Sequence, residues 1–511
     1  MAKSSSKKAS KPEQFDPREP LPADAPYFYS LTLENIRCFA DKQTLDLSDS
    51  KGNAARWTVI LGENGTGKTT LLQLLAMFEP QPRNSPIDEG KVYILNYSRG
   101  MMNISLALFG HLLRNNIDLT SIEKSKAKSS VSVIKRVIKY QLSFEIIGNT
   151  ISMPANNYGY EDYILNNLLV YGFGAKRQIG TKSWEEYKEI DSAASLFVTN
   201  SALINVADWL RNIKLSATFA KHPERSNKVY DTMINLFKSG LLPGVDDAEL
   251  RATEEIGGVN IFFHSKDGWI PLESLGLGYQ TMIAWTVDFA ARMVERYPDS
   301  PQPLHEPAIV LVDELDLHLH PRWQREIIGF LTKQFPKTQF IVTAHSPLVV
   351  QAAQDVNANI VLLRREGDHV VIDQNVRIDR NLTVDLLLTS DAFGLEALYS
   401  PRTEELMREQ ELLQAKSHLK ATEQERLKQI EQEIGIIPIT SNPIDNEAMT
   451  LIREAAELLK AKNKEKVAKP RSTQTTKSIK LKVKSAGSGA KTPSTQTTKS
   501  KKKHNVHGTH S

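Results

Sequence analysis

The chain has 511 residues, 40% of them hydrophobic and 24% charged, with a formal net charge of +4. That length accommodates two or three domains with a sizeable core. The single cysteine, Cys38, excludes a disulfide framework and any cysteine-based zinc site, and no apolar run reaches the length of a membrane span. The charge is uneven: Lys464 to Ser511 holds thirteen Lys or Arg against one acid, Glu465, so a tail of +12 follows a body of −8.

One cysteine suits a reducing cytosol. Residues 1–25 are rich in Lys, Ser and Pro, with no apolar segment behind the basic start, which reads as a disordered, solvated tail and not a signal peptide. From Tyr27 to Leu47 the sequence YFYSLTLENIRCFADKQTLDL alternates around a polar turn and predicts two strands of a small sheet. Arg37 lies on the rim of that turn, either approaching a nucleotide or simply exposed.

The run Trp57-Thr58-Val59-Ile60-Leu61 predicts a buried strand. It gives way to Gly62-Glu63-Asn64-Gly65-Thr66-Gly67-Lys68-Thr69, and then to a Leu-rich helix from Thr70 to Met77. This is the G-x-x-x-x-G-K-[ST] pattern with a strand before it and a helix after it. Three glycines let the backbone curl so that successive N–H groups face inward, and the helix N-terminus adds partial positive charge. Residues Gly62 to Thr70 then cradle phosphates, with Lys68 on the β- and γ-phosphates and the Thr69 hydroxyl on Mg²⁺. The competing reading is a plain glycine-rich turn.

Between Pro80 and Gly174 the pattern predicts strands, with a helix at Met102 to Asn115. Val170 to Arg177 ends an apolar run on two glycines and two cations, either a loop facing phosphate or an ordinary turn. Residues 180–250 read as mostly helical, and VNIFFHSKDGWIPLESL as a hairpin turning at Lys266-Asp267-Gly268. Ser274-Leu275-Gly276-Leu277-Gly278-Tyr279-Gln280 opens a helix running to about Arg296, offering free N–H groups to an anion or forming a mere cap.

Ala308 to Val312 is a continuous apolar strand that delivers Asp313 and Glu314 at its tip. Such a tip meets the needs of a Mg-nucleotide site: Asp313 holds the water shell of the metal and Glu314 orients and deprotonates the attacking water. An amphipathic helix follows, then a strand from Gln339 to Thr343 ending in Ala344-His345, where a histidine either senses the γ-phosphate or merely closes the strand. Asp316, His318 and His320 could instead ligate a hydrolytic metal, although they directly follow the Asp-Glu tip. Glu366-Gly367-Asp368, similar to the acidic motif of TOPRIM nucleases, is better read as a hairpin turn between two apolar runs.

Pro401 to about Ile434 is helical and charged, with Leu406, Leu412, Leu413, Leu419, Leu427 and Ile430 on one stripe. It breaks at Gly435 and Pro438, and a second helix covers about Asn446 to Lys462. Together these predict a helical hairpin, packed on the rest of the chain or offered to a partner. From Lys464 the composition is Lys, Ser, Thr and Gly, with STQTTKS occurring twice. Such a tail does not fold; its charge favours nucleic-acid phosphates or acidic protein, and without aromatics it offers no base stacking.

Phosphate loop, glycine-led helix, Asp-Glu strand and strand-end histidine occur in that order, with 245 positions separating Lys68 from Asp313. The order resembles that of the ABC-type ATPases, and the long gap fits their RecF/SMC/OLD-like branch better than a compact AAA+ module. Within the branch, LVDELDLHLHPRWQ, FIVTAHSPLVV and LGLGYQTMIAW look like the bacterial AAA family ATPases of the OLD/PtuA-like group, over roughly Tyr27 to Leu413. The resemblance implies an α/β fold: an ABC-type P-loop NTPase head with a mixed central sheet at 26–400, carrying an inserted strand and helical region at about 100–255. A helical extension at 401–463 follows, with disordered tails at 1–25 and 464–511.

The same resemblance implies ATP and Mg²⁺ as cofactors. Lys68, Glu314 and His345 would be catalytic, Glu314 as base and His345 as switch, with Thr69 and Asp313 on Mg²⁺. Ser274, Gly276, Gly278 and Gln280 would form a signature acting on nucleotide held by a second subunit. Two positions depart from the pattern: Gly276 replaces the expected serine, which implies slow hydrolysis unless Ser274 substitutes, and His320 stands at the D-loop aspartate position. Gln141 or Gln178 would be the glutamine that couples nucleotide to distant parts. The implied protein is a cytoplasmic ATPase whose nucleotide-driven dimerisation gates a separate nuclease or other effector, in phage defence or DNA metabolism. Homodimer or higher oligomer, nucleic acid and no membrane are the implied partners. A RecF/SMC-like ATP-dependent DNA clamp without effector is the alternative, ahead of a transporter subunit or an intrinsic nuclease.

Overall fold

The computed structural model describes residues 16–22, 25–77, 168–180, 191–198, 201, 203–253, 258–376, 378, 382–395, 398–416 and 418–435, and the backbone alone of 102–109, 137–147 and 150–152. They belong to two compact units, Met1–Ser400 and Pro401–Ser511.

The first unit begins with the expected antiparallel pair, β1 (Tyr27–Glu34) and β2 (Gln43–Asp46). The buried strand β3 (Trp57–Gly62) leads into α1 (Lys68–Ala76). Next come β4 (Met102–Phe109), β5 (Val137–Ile147) and β6 (Thr150–Ser152), which extend the first pair into an antiparallel sheet of order β2-β1-β4-β5-β6. The helix predicted from Met102 is therefore a strand over Met102–Phe109, and the remainder of that segment lies outside the described residues. Met102, Ile104, Leu106 and Leu108 alternate with Asn103, Ser105 and Ala107, a period of two, and β1 presents an edge along which Asn103 to Phe109 all find partners.

After β7 (Val170–Phe173) come two of the predicted helices, α2 (Val206–Phe219) and α3 (Glu224–Leu236). A three-stranded sheet follows, β8 (Val245–Ala252), β9 (Val259–Ser265) and β10 (Gly268–Pro271), its last hairpin turning at Lys266–Asp267 with Gly268 at φ 100°. The chain then runs through α4 (Leu277–Arg296), β11 (Ala308–Val312), α5 (Pro321–Gln334), β12 (Thr338–Thr343), α6 (Pro347–Asp355), β13 (Asn359–Glu366), β14 (His369–Asp373) and α7 (Val384–Leu388). Glu366 pairs with His369 and Gly367 is left-handed, so the acidic triplet is a hairpin turn.

The central sheet has the order β14-β13-β3-β12-β11-β7; five strands are parallel and only β14 runs against its neighbour. The fold is thus α/β around a mixed sheet. Its strands read as unbroken apolar runs because both faces are covered. Ile60, Ile309, Leu311, Ile341 and Val361 pack with α1 and the β1–β2 pair. Their alternating neighbours Val59, Leu61, Val310, Val312 and Val342 pack with α4, α5 and α6. Trp57 stacks on Phe340 at 4.3 Å and donates its indole N–H to Thr332 Oγ1 at 2.8 Å. The loops that leave β3, β7, β11 and β12 gather at the carboxyl ends of this sheet, where open α/β sheets bind ligands.

Gln339 in β12 is fully buried and joins the two sheets. Its Nε2 donates to the carbonyls of Phe28 (2.8 Å) and Ala55 (3.2 Å), and its Oε1 accepts from the Phe28 N–H at 2.9 Å. Gln339→Leu strands these backbone groups away from water, each at about 1–3 kcal/mol. The expected loss is about 3 kcal/mol or more, read from the urea midpoint; a loss under about 1 kcal/mol would show the join to be idle.

Within the stretch expected to be a tail, residues 16–22 are laid on the body, Leu21 being 3% exposed and the Glu19 carbonyl accepting from Arg56 Nη2 at 3.0 Å, while residues 1–15 lie outside the described residues. Leu21 gives this stretch one apolar anchor, enough to lay residues 16–22 down.

The second unit is a hairpin of α8 (Pro401–Gln414) and α9 (Ala421–Ile434). Leu406, Leu413 and Ile430 form its core, flanked by Leu419, Leu427 and Ile434, and Arg426 grips Glu409 through two bonds of 2.8 and 2.7 Å. The chain reverses before Gly435, earlier than predicted: helix α9 restarts where the Lys420 N–H bonds Glu423 Oε2 at 2.8 Å. Leu412 is 65% exposed and off the stripe, since it lies one residue, about 100° of helix, from Leu413. The predicted helix at Asn446–Lys462 and the basic tail lie outside the described residues. Among the described residues no helix is long and apolar enough to cross a membrane.

Candidate nucleotide-binding site

The phosphate loop is built by backbone that only glycine takes easily. Gly62, Gly65 and Gly67 have φ of 145°, 78° and 88°. Gly67 is also roofed: a Cβ there would lie 2.6 Å from Cys38 Sγ and 2.9 Å from the Phe39 ring. Thr66 Oγ1 donates to the Glu63 carbonyl at 2.8 Å, closing the loop on itself. Lys68 is buried, its Nζ on the carbonyls of Gly62 and Glu63 at 2.8 Å each. Burial draws the Lys68 pKa down, opposed by Asp313, Glu314 and Asp316. Arg37 does approach this region, donating from Nη1 to Thr70 Oγ1 at 3.1 Å, and Arg365 Nη2 reaches the Gly65 carbonyl at 3.1 Å. Glu63, Asn64 and Thr69 are exposed.

The acid strand meets the loop directly. Thr69 Oγ1 donates to Asp313 Oδ2 at 2.7 Å, and Thr343 Oγ1 donates to Asp313 Oδ1 at 2.7 Å. The same Thr343 oxygen accepts from the Glu314 N–H at 2.7 Å. Thr343 was not singled out in the sequence; its position at the end of the strand adjoining β11 is the only signal it carries. Glu314 is half-buried and left-handed, φ 50°. A hydroxyl and a carboxylate side by side are the hard oxygen donors that Mg²⁺ takes, so the residues present fit that ion.

His345 is exposed at the tip of β12, and its N–H is held by the Asp316 carboxylate at 3.0 and 3.3 Å. Asp316 is thereby engaged in joining two loops. His320 caps α5, its Nδ1 accepting from the Arg322 N–H at 3.2 Å, and His318 is exposed and left-handed, φ 63°. Among the described residues no group of three or more His, Cys, Asp or Glu side chains is placed to hold a metal.

Helix α4 opens at Gly276, which caps it without a side-chain bond; Gly276 and Leu277 are exposed. Gly278 is different. A Cβ on it would lie 2.2 Å from the His318 carbonyl oxygen, so the start of α4 rests on the loop after β11. The Gln280 amide turns back onto the carbonyls of Glu273 and Leu275, at 3.0 and 2.8 Å. Ser274 ends the short turn Leu272–Ser274 and is exposed. Of the two glutamines considered, Gln141 lies in β5, and Gln178 lies on the segment leaving β7 beside β11, directly after Arg177.

Residues 57–351 match the family model described as "AAA domain, putative AbiEii toxin, Type IV TA system". The chain is similar to the Septu protein PtuA of Bacillus mycoides (strain KBAB4), 28% identical over 328 residues, which are 63% of this chain and 38% of that protein. It is also similar to the Retron Vc95 probable ATPase of Vibrio cholerae serotype O1 biovar El Tor, 26% identical over 389 residues, 65% of this chain and 73% of that protein. The chain thus spans well under half the length of the Septu protein. Among solved structures, an SMC head bound to the C-winged helix domain of ScpA aligns over 68% of this chain and 98% of its own, at 14% identity and a TM-score of 0.37. The family match covers more than half of the chain and contains the phosphate loop, the Asp313–Glu314 strand and His345, and the chain belongs to this AAA domain family of ATPases.

Proposed function

We propose that the chain binds and hydrolyses ATP and that two copies close on the nucleotide to gate a partner effector in phage defence. The observation that carries the reading is the line Thr69–Asp313–Thr343–Glu314, which ties the phosphate loop, the acid strand and the tip of β12 into one hydrogen-bonded unit. The loop N–H groups and Lys68 hold the phosphates. The Thr69 hydroxyl and the Asp313 carboxylate would hold Mg²⁺, which when bound neutralises charge on the phosphate oxygens. Glu314 takes the proton of the attacking water, and His345 contacts the γ-phosphate. Gln178, at the exit of β7, is the coupling glutamine. The exposed turn at Ser274, Gly276 and Leu277 meets nucleotide held by the second copy, completing charge stabilisation only on closure. The relatives named for Septu and retron systems support the setting in defence.

Light scattering of a Glu314→Gln chain tests the assembly. ATP with Mg²⁺ is expected to double its mass, and a monomer at saturating ATP would overturn the dimer. Retention on DNA that depends on ATP and on no second protein would instead favour the clamp reading. The serine missing at position 276 can be restored: a Cβ there meets only Tyr279 Cδ2, at 4.0 Å. Gly276→Ser is expected to keep thermal stability and raise ATP turnover about three- to tenfold by adding one donor at the γ-phosphate. Unchanged turnover would show that this donor is not what limits the rate.

A further inference from the structure

Arg177 is a buried cation to which the roles above give no task. It leaves β7 four residues after Phe173 and is 3% exposed. Its Nη2 donates to the Glu314 carbonyl at 2.6 Å, while Nε and Nη1 have no hydrogen-bond partner among the described residues. Burial brings its pKa down to about 10, against the pull of Asp313, Glu314 and Asp316, so it is charged at neutral pH. A charge buried with two donors unmet is costly, and an apolar residue of similar volume is generally the more stable occupant. Stability therefore does not explain the arginine.

What Arg177 touches does. Glu314 has a left-handed backbone, an uncommon conformation for a residue with a side chain and one that gains from being held by its surroundings. Its N–H is held by Thr343 Oγ1, and its carbonyl accepts from Arg177 as well as from the Leu317 N–H of the same turn at 3.1 Å, so Arg177 adds to that turn an anchor from outside it. Thr343 in turn holds Asp313, and Asp316 holds the His345 N–H. We propose that Arg177 is a positioning residue for hydrolysis: it anchors the Glu314 carbonyl and maintains the left-handed turn that aims the carboxylate. Its charge also offsets the three acids gathered around it. The inference rests on Glu314 being the base, and Arg177 itself touches no phosphate.

The test compares Arg177→Met and Arg177→Lys with wild type and with Glu314→Gln, measuring kcat, ATP affinity and ATP-driven dimer formation. Loss of the anchor is expected to lower kcat of the Met variant about 10²-fold, with ATP affinity within about twofold and dimerisation retained. Lysine keeps a donor for the carbonyl and is expected to recover about tenfold over methionine. Equal kcat losses in both variants, with ATP affinity falling in step, would overturn positioning in favour of a merely structural role. If the Met variant fails to fold, the Lys variant decides: a lowered kcat at unchanged affinity supports the proposal and wild-type kcat overturns it. Should Glu314→Gln be inactive while Arg177→Met turns over like wild type, the positioning role alone fails. Wild-type turnover by Glu314→Gln would remove the functional reading beneath it.

Discussion

Glu314→Gln is expected to lower steady-state ATP turnover by about 10²- to 10⁴-fold while leaving ATP affinity within about twofold. The amide occupies the same volume and keeps both backbone anchors of residue 314, Thr343 Oγ1 on its N–H and Arg177 on its carbonyl, so the fold and the phosphate loop are undisturbed. What disappears is a group able to take a proton from water. Because Thr69 and Asp313 are untouched, nucleotide should bind and remain bound, and a single-turnover experiment should show chemistry and not release as the slow step. A variant turning over within about threefold of wild type would remove Glu314 as the base.

Gly278→Ala is expected to reduce ATP turnover about tenfold or more, whereas Gly276→Ala, two residues earlier, should leave it nearly unchanged. Alanine is the better helix former at both positions. At 276 the added methyl meets nothing closer than 4.0 Å, but at 278 it would lie 2.2 Å from the His318 carbonyl oxygen, a separation no real Cβ tolerates. Either the helix start or the loop must move. The exposed, left-handed His318 loop is the softer partner, and its shift would be passed to Asp316, which holds the His345 N–H. The accompanying destabilisation should be about 1–3 kcal/mol, read from urea unfolding. If the two alanine variants behave alike, the contact between α4 and the loop has no bearing on turnover.

The parts of the site that could be read in the sequence are those whose chemistry is contiguous along the chain. Gly62 to Thr69 reads as a phosphate cradle because it lies between a strand and a helix, and Ala308 to Glu314 carries its own burial signal with the acids at its end. The α/β fold was what the family resemblance carried by these motifs and their order implied. Features made by distant segments left no such trace. Thr343 is one β-branched residue among several in its strand until β11 is laid beside it. Arg177 read equally well as a loop cation until its guanidinium was found beneath Glu314. Met102–Phe109 is short and rich in Leu, Met and Ala, which suit a helix, so its period-two alternation is a weak signal until the edge of β1 pairs with it. In the C-terminal unit the apolar stripe is legible, but the turn between α8 and α9 rests on Glu423, which takes the Lys420 N–H and the Lys416 ammonium, and composition does not announce this.

The boundaries of the family match, residues 57 and 351, do not mark a piece that could be excised and remain whole. The lid over Gly67 comes from Cys38 and Phe39, the partners of Gln339 include Phe28 and Ala55, and β13, which pairs with β3 from Thr58 to Gly62, begins at Asn359. A fragment trimmed to those limits would expose the underside of its own ATP-binding loop to water. Segments flanking the matched module are therefore structural walls of the candidate nucleotide site, and only the whole first unit is a sensible object for dissection.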